Sequence, residues 1–176
     1  NDSWQQKASL PSSGRWGAAV ITLADTAYVI GGKTDSLSAI SEVWAYALGF
    51  DTWTQKSNLP FGARFRASGM SKTLKGYLTF GMNDSAKLSD KIFEYSPAND
   101  SWTLLTQFPA GPRYYAMCQS FVSNPTLVLG LGQDSTGAFK NDLWYFDLGN
   151  GTWNQASDLP AAGRRGVMTI SSLAYT

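Results

Sequence analysis

The sequence predicts an all-β protein made of one four-stranded sheet repeated along the chain, and three observations predict it. Trp4, Trp53, Trp102 and Trp153 recur at separations of 49, 49 and 51 residues. Each is followed seven positions later by a proline (Pro11, Pro60, Pro109, Pro160) and eleven later by an arginine (Arg15, Arg64, Arg113, Arg164); a fixed period of this length marks a repeated supersecondary unit. Between those marks run short β-rich apolar segments bounded by Gly, Asn, Asp and Pro turns, with no helical periodicity of useful length. The units span approximately residues 1–50, 51–99 and 100–150, with a partial one at 151–176.

Within each unit the first strand follows the arginine, at residues 18–23, 67–71 and 116–122. The second carries Tyr28, Tyr77 or Leu127 and ends in a glycine, at Gly32, Gly81 and Gly130. A second aromatic column marks the third strand, at residues 43–47, 92–96 and 143–147, through Trp44 and Tyr46, Phe93 and Tyr95, and Trp144 and Phe146. Tight-turn residues such as Gly49, Asp51, Asn99, Asp100, Asn150 and Gly151 then lead into a fourth strand that begins near the repeating tryptophan. The chain is expected to open in such a fourth strand and to end after another fourth and first strand. A sheet this small cannot bury its own aromatic residues, whereas sheets stacked around an axis bury them between neighbouring faces. The tryptophan columns are therefore expected to pack between sheets.

The pattern Trp-x6-Pro-x3-Arg, the strand Tyr28-Val29-Ile30-Gly31-Gly32, the Trp/Phe-x-Tyr pairs, and Asp51-Thr52-Trp53 with Asp100-Ser101-Trp102 resemble the kelch repeat over essentially the whole chain. The chain is also similar to the propeller domain of galactose oxidase and to bacterial surface kelch proteins. The double glycine departs from the pattern, reading Phe80-Gly81 and Leu129-Gly130 in the second and third units. The resemblance implies a kelch-type β-propeller of about three and a half four-stranded blades. An open arc would leave sheet edges and inter-blade faces uncovered. Either the rest of a ring lies outside this sequence, which the mid-repeat ends favour, or two copies complete one ring.

Composition narrows the function. The net charge is +1 with Lys and Arg scattered, which argues against a nucleic-acid partner, and no apolar run approaches the length of a membrane span. There is no histidine, so the copper and iron chemistry of known kelch-type enzymes is not carried over, and no cofactor or metal is expected. The two glutamates, Glu42 and Glu94, have no spacing that suggests an acid–base pair and read as solvated surface. The lone Cys118 sits among apolar neighbours and reads as an inert buried thiol.

The resemblance places the repeating arginine and its neighbours at a mouth of the central channel. This implies ligand-binding candidates at Arg15 and Trp16, Arg64 and Arg66, Arg113 and Tyr115, and Arg164 and Arg165. Guanidinium groups interleaved with rings suit carboxylate, acidic peptide or sugar recognition. The repeating arginines have an alternative role in tying down the turn between blades. Asp35, Asp84 and Asp134, in the loops after the second strand, are further candidates, with turn chemistry as the alternative. The leading expectation is a non-catalytic module that recognises a protein or glycan; a sugar-modifying propeller enzyme and a structural spacer are the alternatives. Asn-x-Ser/Thr triplets at Asn1, Asn83, Asn99 and Asn150, short Asp-Ser/Thr runs and the surface-kelch resemblance favour an extracellular or cell-surface location over a cytoplasmic one.

Overall fold

The computed structural model describes residues 2–121, 124–167 and 169. The strands are, in chain order, β1 (Arg15–Trp16), β2 (Ala19–Leu23), β3 (Thr26–Ile30), β4 (Lys33–Thr34), β5 (Val43–Ala47), β6 (Thr52–Lys56), β7 (Phe65–Lys72) and β8 (Lys75–Met82). They continue as β9 (Lys91–Ser96), β10 (Ser101–Gln107), β11 (Arg113–Tyr114), β12 (Met117–Ser120), β13 (Thr126–Gly130), β14 (Gln133–Asp134), β15 (Leu143–Asp147) and β16 (Thr152–Gln155). They form three antiparallel four-stranded sheets, β2-β3-β5-β6, β7-β8-β9-β10 and β12-β13-β15-β16, and two short ribbons, β1-β4 and β11-β14. The architecture is all-β and β-propeller-like. No helix among the described residues is long and apolar enough to cross a membrane.

Each sheet grades from apolar to polar. In β2 the inward residues Ala19, Ile21 and Leu23 are buried and the alternate ones are not, the period expected of a strand with one covered face. The central strand β8 is buried almost throughout because both of its faces meet other sheets. The outer strands β6, β10 and β16 are polar and largely exposed, which discourages pairing along an open edge.

The cores lie between sheets. Ile21, Tyr28, Ile30 and Val43 of the first sheet pack with Leu78 and Tyr95 of the second, with Trp102 against them. Phe80, Ile92 and Phe108 of the second unit pack with Leu127, Leu129 and Phe146 of the third, flanked by Trp144 and Trp153. Two of the four repeating tryptophans, Trp102 and Trp153, thus pack between sheets, as does Trp144 of the second aromatic column. Trp53 instead lies on Tyr46, ring centroids 4.9 Å apart, and donates from Nε1 to the Ala8 carbonyl. The first strands run close together on the inner side. Ser68 Oγ donates to the Ala116 carbonyl at 2.6 Å, and a Cβ on Gly69 would lie 2.4 Å from the Val20 carbonyl oxygen. Cys118 is buried in this seam, where burial pushes its thiol up to about 12.

Two expectations change. The opening fourth strand does not form: residues 2–14 hold no strand and Trp4 is fully exposed, because no third strand precedes it among the described residues to pair with. The third unit's second strand ends at Gly130 as expected, but the counterpart of Gly32 there is Gly132, so the pair that stands for the double glycine is Leu131-Gly132 and not Leu129-Gly130. Gly132 donates to the Arg164 carbonyl as Gly32 does to that of Arg64, and Leu131 bonds Asp142 as Gly31 bonds Glu42. The two extra residues of that unit therefore fall between β12 and β13. Val122, at the end of the expected strand 116–122, and most of the fourth unit's first strand lie outside the described residues.

Candidate functional site

Two columns of side chains, two residues apart in sequence, decide the site. The repeating arginines form the first. Arg15 has its side chain almost wholly buried and bonds Glu42 at 2.7 Å, Ser12 Oγ at 2.6 Å and the Gly31 carbonyl at 3.3 Å. Arg113, 1% exposed, clamps Asp142 with two bonds of 2.7 and 3.2 Å and also donates to the carbonyls of Leu131 and Ala110. In both units an indole completes the tie, Trp44 Nε1 to Glu42 and Trp144 Nε1 to Asp142, each at 2.9 Å. Glu42 is therefore an internal anchor and not a solvated surface group. Hydrogen bonds from Ser12, Arg15 and Trp44 hold its carboxyl down at about 2. Glu94, the other glutamate, pairs with Lys75 at 3.2 Å. Arg164 is exposed, with one long bond to the Ala162 carbonyl.

The second column is Gly17, Arg66, Tyr115 and Gly166, all at positive φ (63, 57, 50 and 68°). The left-handed conformation turns each peptide toward its neighbour. Arg66 N bonds the Gly17 carbonyl at 2.7 Å, Tyr115 N that of Arg66 at 3.0 Å, and Gly166 N that of Tyr115 at 3.0 Å. This backbone ladder joins the four units along the inner rim. Two of its four positions carry side chains where glycine would hold the same backbone without strain; each such residue costs about 1–2 kcal/mol.

Those side chains build a belt in which cations and rings alternate. The Arg66 guanidinium lies 5.2–5.4 Å from the ring centroids of Trp16, Phe65, Tyr114 and Tyr115. Arg165 lies 5.5–5.9 Å from Tyr114, Tyr115 and Phe139 and bonds the Tyr114 hydroxyl at 2.9 Å. Gln133 Oε1 accepts from both Arg165 and Tyr114. Trp16 and Phe139 leave large areas open, 40% and 52%. Below the belt, a cavity of about 650 Å³ runs along the inner strands, lined by small residues such as Gly17, Ala19, Ser68 and Ala116. The belt offers ring faces, hydroxyls and guanidinium donors; its chemistry is that of a recognition surface.

The structure brings Trp16, Arg66, Tyr115 and Arg165 into this belt and turns Arg15 and Arg113 inward. The aspartates serve the loops. Asp134 accepts from Thr136 and Ala138 backbone N–H groups and pairs with Lys140 at 2.7 Å; its hydrogen bonds to Lys140 and Thr136 lower its pKa strongly. It shares its position with Asn83, which caps its loop the same way, and not with Asp84. Asp84 reaches back to the preceding unit, pairing with Lys33 at 3.2 Å and accepting from Ala39 N. Asp35 is an exposed turn acceptor for Ser36 N. Phe139 and Gln133 escaped sequence reasoning, since neither falls in a repeating column.

No family model and no curated protein matches the chain. Among solved structures it is similar to that of YjhT, with a TM-score of 0.81 and 16% identity over 93% of this chain and 58% of the other. At that identity the likeness concerns the fold. The chain spans about 58% of the YjhT structure's length.

Proposed function

We propose that the chain forms part of a kelch-type β-propeller, about three and a half blades in extent, and acts as a non-catalytic module that recognises a protein or glycan at the channel rim. The cation–aromatic belt carries this reading: two left-handed backbone positions hold Arg66 and Tyr115 where their neighbours hold glycine, and strain retained at a rim is a mark of function. The repeat, the inter-sheet cores and the likeness to the YjhT structure support the propeller type. Blades beyond these residues, or a second copy, close the ring. Composition and the Asp-Ser/Thr and Asn-x-Ser/Thr runs support an extracellular or cell-surface location.

The test is a glycan and peptide array probed with the wild-type chain and with Trp16→Ala combined with Tyr115→Gly. Glycine suits the backbone at position 115, so the double variant is expected to keep the far-UV and thermal profile while losing ligand by roughly 1.4 kcal/mol or more, a tenfold effect. Undiminished binding by a folded variant sinks the rim as the site.

A further inference from the structure

The second unit keeps the arginine of the tie and loses the groups that meet it. Arg64 stands where Arg15 and Arg113 stand, but the acid that would meet it is replaced by Lys91, and the indole that would orient that acid by Phe93. Elsewhere the chain drops polar pairs whole. Tyr46 bonds Asp51 and Tyr95 bonds Asp100, each at 2.7 Å, whereas the third unit has Phe146 and Gly151 and leaves neither partner behind. Arg64 is kept without its acid. Its Nε is buried without a hydrogen-bond partner, as is that of Arg113, but among the described residues no carboxylate pairs with its guanidinium as Glu42 does with Arg15 and Asp142 with Arg113. Its guanidinium lies 5.4 Å over Phe61, which stacks on Phe93 at 3.4 Å. Desolvation lowers its pKa, opposed by the field of Asp90.

Around this guanidinium opens a cavity of about 540 Å³, whose lining includes Phe61, Arg64, Asn83, Lys87, Lys91 and Phe93. Of the two aspartates at its wall, Asp84 is held by Lys33 and Ala39 N, and Asp90 accepts from Gln107 at 2.8 Å. Asp90 keeps its charge and its field reaches Arg64, but the cations Arg64, Lys87 and Lys91 outnumber it, so the balance at the wall is positive. A half-buried cation without its partner is poorly compensated, and an arriving carboxylate restores what the first and third units supply internally.

We infer that this cavity binds a small organic carboxylate, whose carboxyl group takes the place of the missing acid between Arg64 and Lys91 while its apolar part lies toward Phe61. The site is separate from the rim. Its test uses sodium benzoate, with benzamide as the neutral isostere, titrated at constant ionic strength into the ¹⁵N-labelled chain. The expected result is saturable shifts at residues 61–64 and 83–93 with benzoate and none with benzamide. Lys91→Glu, which rebuilds the tie of the first unit, is expected to weaken benzoate by at least roughly tenfold while raising the thermal midpoint; Arg64→Gln is expected to weaken it similarly. Equal response to benzamide, shifts confined to Tyr114 and Tyr115, or unaltered benzoate binding by folded Lys91→Glu and Arg64→Gln each overturn the inference.

Discussion

Arg113 and Tyr115 are two residues apart, and the structure uses them in opposite ways. Arg113 has no exposed charge left: the four donors on its two terminal nitrogens meet a carboxylate and two carbonyls at the base of the third sheet, and only Nε is left without a partner. Tyr115 sits at φ 50° and places a half-exposed ring among Arg66, Arg165 and Tyr114, where glycine would hold the backbone more easily. The first column closes polar groups inside the fold; the second holds strain at its rim. The contrast teaches that the repeated arginine serves the architecture where an acid meets it, as in Arg15 and Arg113, while the position that varies between glycine and a large side chain builds an open belt of cations and rings.

The contrast is broken most severely at the base. Asp142→Ala leaves the buried Arg113 guanidinium without its counter-charge and is expected to cost about 3–5 kcal/mol, read as a lower midpoint in urea unfolding. A loss under about 1 kcal/mol, the range of exposed ion pairs, would mean that the tie contributes little.

The first unit offers a milder, pH-dependent version. The Glu42 carboxyl is depressed from 4.5 to about 2, chiefly by the Ser12 hydroxyl and then by Arg15 and Trp44. Its folded pKa lies below its unfolded one, so its contribution is fully present above about 4.5 and declines as pH falls toward 2. Glu42→Gln is expected to flatten that part of the stability profile, followed by thermal melts from neutral to acidic pH. An unchanged acid limb would place the proton-linked loss elsewhere.

The smallest effect belongs to the rim. Tyr115→Gly relieves a left-handed side-chain position and gives up ring contacts with Tyr114, Arg66 and Arg165. The two changes are of opposite sign and each about 1 kcal/mol, so the thermal midpoint is expected to stay within a few degrees of wild type. A fall as large as that of Asp142→Ala would return Tyr115 to the architecture and remove the distinction between the columns.

Much of this was legible in the repeat. The third strands at 43–47 and 143–147 fall where the aromatic pairs put them, and the polar fourth strands follow the tryptophans, because a strand's two faces write a period of two into its residues. The shift of the double-glycine position from Leu129-Gly130 to Leu131-Gly132 has an equally local cause, two extra residues between β12 and β13, where spacing carries no information. Glu42 was misread because its meaning depends on Arg15, 27 positions earlier, and no local pattern joins them. The column Glu42, Lys91 and Asp142, two residues before each third-strand aromatic, holds the signal in retrospect.

By itself, then, the sequence determined the repeat, the strand order within each unit and the scarcity of catalytic groups, since these depend on residue type and spacing along the chain. Tertiary structure alone decided which arginines turn inward and which face the rim, that Arg66 and Tyr115 hold a left-handed backbone, and that Arg64 lacks an acid. Each of those depends on groups that folding brings together from strands and turns far apart in the chain, and on hydrogen bonds that exist only between neighbouring sheets.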